Sequence, residues 1–126
     1  MILPFLTIAS SVGRGRGVYT TEPIKAGTTI EVAPVIVLDA QQRVELEKTL
    51  LYNYIFEWGD DLSEAAVALG YVSIYNHSKI PNCKYEMDFE FQTITIITLK
   101  DIEVGEELFI NYNAEEGIDP SWFKAI

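Results

Sequence analysis

Three short motifs, set in one order along 126 residues, constrain this chain more than any other feature of its sequence. They are Gly15-Arg16-Gly17, then Asn76-His77-Ser78 with Pro81-Asn82-Cys83 close behind, and then Gly105-Glu106-Glu107-Leu108-Phe109-Ile110-Asn111-Tyr112. Each motif alone is a weak signal, because a Gly-x-Gly pair usually marks a turn and a lone histidine is usually structural. Taken together, their order and spacing restrict the folds that the chain can adopt.

Short apolar segments separated by turn residues predict a mostly β fold with short α insertions. Residues 28–38 are rich in β-branched side chains and predict a strand. Asp39 and Gln42 have the spacing of a capping box, which predicts a helix over residues 40–54 with Val44 and Leu50 on one face. Residues 65–75 fit a helix or a buried strand. The remaining predicted elements are a hairpin over residues 84–91 and 93–99, turning near Gln92, and a last strand over residues 107–112.

Charge and composition narrow the classes of function. The formal net charge is −10, from 9 basic and 19 acidic residues, which argues against a general nucleic-acid binder and favours a cationic partner. A single cysteine excludes an internal disulfide and a cysteine-rich zinc cluster. No apolar run approaches the roughly 18 residues that span a bilayer, and residues 1–5 lack the pattern of a secretion signal. We therefore expect an intracellular protein that binds neither membrane nor metal.

In this order and spacing the three motifs resemble the SET domain, the lysine methyltransferase fold that uses S-adenosylmethionine. The resemblance runs from about Gly13 to Trp122 and is closest to the short, stand-alone SET proteins of bacteria and large viruses. It implies several small sheets and a C-terminal pseudoknot, in which the Asn-His-Ser segment threads beneath the loop that carries the tyrosine motif. It also implies one domain over residues 1–126, with a core over 13–113 and a tail over 114–126.

The resemblance assigns roles to individual residues. Tyr112 is expected to be the catalytic residue, although Asn111 stands where the family more often has aspartate. The expected cofactor-binding residues are Gly15, Arg16, Gly17, Asn76, His77 and Trp122. The expected lining of the substrate lysine channel is Tyr54, Tyr85 and Ile110. Two alternatives stay open: Arg16 pairs with the cofactor carboxylate or points into water, and Tyr54 lines the channel or packs in the core.

The function that the resemblance implies is methyl transfer from S-adenosylmethionine to lysine in a basic protein, whether histone-like, ribosomal or otherwise Lys-rich. It further implies a cytoplasmic protein, or a nuclear one if the source is viral or eukaryotic, and a homodimer. The first alternative is a non-catalytic SET-like module that binds peptide or cofactor. The second is a β-rich oligomeric scaffold without a ligand, which predicts no thermal shift with S-adenosylmethionine.

Overall fold

Short strands and tight turns dominate the fold, as the alternation of apolar and turn residues predicts. A computed structural model describes residues 1–112, so the predicted C-terminal tail, 114–126, lies outside the described residues. Within residues 1–112 there are nine strands, one α-helix and two 3₁₀ turns, Leu50–Asn53 and Val72–Ile74. In chain order the longer elements are β1 (Leu6–Ser11), β2 (Gly15–Thr20), β3 (Thr29–Leu38), α1 (Ala40–Leu46), β4 (Ile55–Trp58), β5 (Glu64–Ala68), β6 (Asn76–His77), β7 (Cys83–Asp88), β8 (Thr93–Thr98) and β9 (Glu107–Ile110).

The first sheet brings the three sequence motifs together. Its strand order is β1-β2-β9-β6, with β6 parallel to β9 and the other pairs antiparallel. The Asn82 side chain extends the contact along β9, because its Nδ2 donates to the Glu107 carbonyl at 2.9 Å and its Oδ1 accepts from the Phe109 amide at 2.7 Å. The segment from Asn76 to Asn82 therefore forms hydrogen bonds with β9 through both its backbone and the Asn82 side chain. These bonds join the two segments of the predicted pseudoknot.

The second sheet has the strand order β4-β5-β3-β8-β7 and supplies most of the core. The predicted strand over residues 28–38 is confirmed as β3, and the predicted hairpin is confirmed as β7 and β8, with Gln92 at φ 54° in the turn. The open question over residues 65–75 resolves into two parts. Strand β5 occupies the first part, and after Gly70 the chain enters the 3₁₀ turn at Val72.

The predicted helix over residues 40–54 is wrong in its length, although its start is correct. Asp39 caps α1 as predicted, since its Oδ1 accepts from the Gln42 amide at 2.8 Å. In the second bond of the capping box, the Asp39 amide donates to Gln42 Oε1 at 3.0 Å. The helix ends at Leu46, which is partly buried against the core; none of the helix residues is fully buried, and Val44 is exposed, so little apolar contact is available to extend the helix. The Thr49 hydroxyl then accepts from the Leu51 amide and begins a separate 3₁₀ turn.

Glu31 is a buried carboxylate near the start of β3, a strand of mostly apolar residues. The pairing of β3 with β8 shifts register between Thr29 and Glu31, and both Ile30 and Glu31 are fully buried. Glu31 Oε1 accepts from the Tyr75 hydroxyl at 3.0 Å, and Oε2 accepts from the Tyr71 amide at 2.7 Å. Burial raises the pKa of Glu31 above its ordinary value of 4.5, and these hydrogen bonds oppose that shift only in part.

A pH-dependent cost to stability follows from this buried carboxylate. Since the folded protein holds a proton on Glu31 more tightly than the unfolded chain, the contribution of Glu31 to the free energy of unfolding falls as pH rises from 4.5 through the folded pKa. Glu31→Gln does not titrate, and its amide can accept from Tyr71 and donate to the Tyr75 hydroxyl oxygen. We expect the stability of Glu31→Gln relative to wild type to increase as pH rises from 4.5 through the raised pKa of Glu31.

Urea unfolding of both proteins at several pH values measures this difference, because linear extrapolation gives each free energy of unfolding. A stability difference that stays constant across the range would contradict the predicted ionisation of a buried Glu31.

Candidate active site

A cleft with a cavity volume of about 160 Å³, partly open to solvent, brings together six of the residues that the sequence predicts for the site. The β1–β2 turn, the two 3₁₀ segments, β6 and the chain after β9 all contribute to its lining. The lining residues are Arg14, Gly15, Arg16, Asn53, Tyr54, Ser73, Ile74, Asn76, His77 and Tyr112.

Gly17 is buried behind this cleft and is not part of its lining. Six of the seven glycines within residues 1–112 have a positive φ, and Gly17 is the exception. A Cβ at Gly17 would overlap the Glu107 carboxylate and lie 2.9 Å from Asn76 Nδ2. Glycine is therefore required at this position by side-chain packing across the sheet, and direct contact of Gly17 with a cofactor stays a prediction.

The Glu107 carboxylate orients Asn76 within the first sheet. Its Oε1 accepts from the Ser11 hydroxyl at 2.8 Å and from the Tyr19 hydroxyl at 3.0 Å, and its Oε2 accepts from Asn76 Nδ2 at 2.8 Å. Asn76 Nδ2 also donates to the Arg16 carbonyl at 2.9 Å. The Asn76 amide thus joins β6 to both other motifs, with its two Nδ2 hydrogens donated inside the protein.

Tyr112 is held at the cleft by its backbone, its ring and its hydroxyl. Its amide donates to His77 Nδ1 at 3.0 Å, its ring centroid lies 5.2 Å from that of His77, and its hydroxyl donates to the Tyr75 carbonyl at 2.5 Å. When His77 is neutral, its ring proton must therefore lie on Nε2, because Nδ1 accepts a hydrogen bond.

Tyr112 is a poor candidate for a general base. Burial raises the pKa of Tyr112 above the ordinary value of 10.0, and the charges of Tyr54 and Tyr85 raise it further. The phenol therefore stays protonated at neutral pH. Its donor hydrogen is directed at the Tyr75 carbonyl, so the hydroxyl oxygen can act as an acceptor for a group that enters the cleft.

The residues predicted for the lysine channel take different positions. Tyr54 lines the cleft. Tyr85 is absent from the lining, but its hydroxyl donates to the Tyr112 carbonyl at 3.2 Å and its ring packs 5.8 Å from that of Phe56. Ile110 is fully buried in the core. The structure thus groups Tyr54, Tyr85 and Tyr112, whereas a channel role for Ile110 stays a prediction.

Trp122, predicted to stack on the cofactor, lies outside the described residues. Over residues 1–112, no group of three or more His, Cys, Asp or Glu side chains is arranged to hold a metal ion. No helix in the same range is long and apolar enough to cross a membrane.

Several residues of the site were missed at the level of sequence. Glu107 lies inside the third motif, where a second glutamate after glycine was the available signal, yet no role was predicted for it. Arg14 lines the cleft and also lies 5.2 Å from the centre of the Phe109 ring. Asn53 and Ser73 line the cleft from segments that carry no motif.

Comparison with known proteins agrees with this geometry. The family model of the SET domain matches residues 15–113. The chain is 33% identical over 120 residues to a histone-lysine N-methyltransferase of Schizosaccharomyces pombe that is specific for lysine 37 of histone H3. That alignment covers 94% of this chain and 77% of the yeast protein.

Solved structures share the fold. A candidate histone methyltransferase of Plasmodium falciparum superposes with a TM-score of 0.71 at 25% identity, covering 91% of this chain and 98% of that one. A chain of a humanized mutant of the Chaetomium thermophilum Polycomb Repressive Complex 2 gives a TM-score of 0.71 at 20% identity, covering 89% of this chain and 15% of that one. The chain therefore belongs to the SET-domain family of S-adenosylmethionine-dependent protein-lysine methyltransferases.

Proposed function

We propose that this chain methylates a lysine in a histone-like, basic protein, at a site that ends on the Tyr112 hydroxyl. The observation that carries the proposal is the grouping of the Tyr54, Tyr85 and Tyr112 side chains next to Asn76 and His77, the residues expected to hold the cofactor. The yeast relative acts on a histone, and the net charge of −10 suits a lysine-rich partner.

The lining of the cleft fits S-adenosylmethionine. Arg14 and Arg16 bring positive charge suited to an amino-acid carboxylate, and His77 supplies a polar ring. The tight β1–β2 turn leaves open space around Gly15, where a ligand can approach the backbone closely. When bound, S-adenosylmethionine supplies an electrophilic methyl group on a sulfonium.

The protein must present lysine as a neutral amine. A free lysine has a pKa of about 10.4, so roughly one in a few thousand is unprotonated at neutral pH. An aromatic channel disfavours the charged form because it removes water from the ammonium. Tyr54 and Tyr85 would form this channel, and bulk water can take the proton.

The Tyr112 hydroxyl would orient the amine. Because it donates to the Tyr75 carbonyl, its oxygen lone pairs remain directed away from that bond and can accept from the lysine N–H. Alignment of this kind accelerates a displacement by positioning, without a strong base in the protein.

Intact-mass analysis of histone H3 incubated with the chain and S-adenosylmethionine tests the proposal. We expect mass shifts of one methyl group per event, abolished in H3 whose target lysine, mapped by fragmentation, is replaced by arginine. Binding of S-adenosylmethionine without transfer to H3 or to any basic protein of a panel would favour the non-catalytic module.

The degree of methylation provides a second prediction. The Tyr85 hydroxyl donates to the backbone carbonyl of Tyr112 at 3.2 Å, which ties it to the residue expected to orient the amine. We expect mono- or dimethyl-lysine as the main product, and we expect Tyr85→Phe to raise the degree of methylation because it frees room for added methyl groups. Mass spectra of a modified peptide measure the product ratio. Trimethyl-lysine as the main wild-type product would contradict this prediction.

A homodimer and a cytoplasmic location, or a nuclear one for a eukaryotic or viral source, stay predictions. Sedimentation equilibrium of the purified chain measures the first, and imaging of the tagged chain in its own cell measures the second.

A further inference from the structure

We infer that Glu31, a residue outside the three motifs, is a positioning residue that fixes the hydrogen-bond acceptor of Tyr112. The inference rests on the proposed role of Tyr112. The connection has two steps. The Glu31 carboxylate accepts from the Tyr75 hydroxyl at 3.0 Å, and the carbonyl of the same Tyr75 accepts from the Tyr112 hydroxyl at 2.5 Å.

Glu31 anchors both ends of the segment that precedes the Asn-His-Ser motif. One carboxylate oxygen accepts from the backbone amide of Tyr71, at the start of the 3₁₀ turn, and the other accepts from the side chain of Tyr75, just after it. Gly70 has φ +87°, and a Cβ there would overlap the Glu31 carboxylate. The chain therefore wraps tightly around this one side chain in the segment that leads through the cleft to Asn76.

The cost of burying this carboxylate supports a specific role. Glu31 and Tyr75 are both fully buried, and an ionisable group in such a place is unfavourable unless its hydrogen bonds are satisfied. The groups that face it are the Tyr71 amide, the Tyr75 hydroxyl and the more distant N-terminal ammonium. An apolar side chain would fill the same volume but would leave the Tyr71 amide and the Tyr75 hydroxyl without this acceptor.

The effect on Tyr112 comes through the backbone. The Tyr75 side chain lies in the core, and the Tyr75 carbonyl accepts the hydrogen bond from Tyr112, which lines the cleft. A shift of the side chain would therefore move the carbonyl and change the geometry of that hydrogen bond. Hydrogen-bond strength falls steeply with poor alignment. Loss of the Glu31 anchor would weaken the alignment of the Tyr112 hydroxyl with the Tyr75 carbonyl, and the lone pairs of the hydroxyl would be held less well towards the amine.

A double-mutant cycle with the full chain tests the inference. Tyr75→Phe removes one hydrogen bond to Glu31 and keeps the ring, whereas Glu31→Ala removes both bonds. Turnover on a histone H3 peptide is measured for each variant with Tyr112 present and in the Tyr112→Phe background. We expect Tyr75→Phe to lower turnover about three- to tenfold when Tyr112 is present and less than about twofold in the Tyr112→Phe background, because the positioned group is then absent.

Glu31→Gln is the conservative variant, since its amide can keep both hydrogen bonds, and we expect it to retain most of the turnover. If Glu31→Ala does not fold, the comparison of Tyr75→Phe in the two Tyr112 backgrounds is sufficient to test the inference. Equal losses in the two backgrounds would mean that Glu31 and Tyr75 act on the fold in general, and this result would overturn the inference. Full turnover of Tyr75→Phe with Tyr112 present would do the same. A wild-type chain without methyl transfer, or a fully active Tyr112→Phe, would instead overturn the proposed function and the inference with it.

Discussion

Turnover of Tyr112→Phe is expected to fall at least about tenfold, which corresponds to about 1.4 kcal/mol of activation free energy. The substitution removes one hydroxyl and with it the bond to the Tyr75 carbonyl. The backbone bond from residue 112 to His77 Nδ1 and the ring contact with His77 survive in phenylalanine. The fold should therefore be unchanged, and the affinity for S-adenosylmethionine should stay within about twofold of wild type. The loss of turnover then lies in the chemical step.

Steady-state kinetics with a histone H3 peptide, together with calorimetric titration of S-adenosylmethionine, separate these effects. Tyr52→Phe is a matched control, because Tyr52 belongs to the adjacent 3₁₀ turn and is not part of the cleft lining. It should keep wild-type turnover. Wild-type rates in Tyr112→Phe with unchanged binding would mean that Tyr112 acts in packing alone.

Local chemistry explains which elements could be predicted from the sequence. Strand β3 follows from a run of β-branched residues, and the start of α1 follows from two side chains three positions apart, Asp39 and Gln42. The end of α1 could not be predicted in this way. It depends on whether an apolar face finds a partner, and Val44 and Leu50 remain exposed.

Site residues that belong to a sequence motif could be predicted. Roles that depend on contacts between residues far apart in the chain were missed. The resemblance led to Asn76, His77 and Tyr112, which line one cleft. The carboxylate of Glu107 was missed, since its role depends on Ser11 and other donors far away in the chain. No local pattern links such positions.

Glu31 illustrates the same limit in another form. An acidic residue inside the apolar run 28–38 was a visible signal, but a charged residue in a strand more often faces solvent. The register shift against β8 turns it inward, and that shift results from strand pairing between distant segments.

Gly17→Ala is expected to have the second large effect, on cofactor binding. The added Cβ would overlap the Glu107 carboxylate, which cannot move aside without breaking its bonds from Ser11, Tyr19 and Asn76. Backbone strain is not the cause, since φ of Gly17 is not in the left-handed region. We expect at least about tenfold weaker binding of S-adenosylmethionine, or about 1.4 kcal/mol, because the displaced Asn76 lines the cleft.

Calorimetric titration of S-adenosylmethionine into Gly17→Ala measures this loss, and circular dichroism monitors the fold. Ser10→Ala is the matched control, because Ser10 is exposed on the neighbouring strand β1, directly across from Arg16 and one position away from the pair of Ala9 with Gly17.

A second variant, Glu107→Ala, removes the carboxylate that the new methyl group would overlap. Adding Gly17→Ala to Glu107→Ala should therefore cost less affinity than adding it to wild type, because the two changes act on one contact. Wild-type affinity in Gly17→Ala would mean that the Glu107–Asn76 contact does not shape the cofactor site.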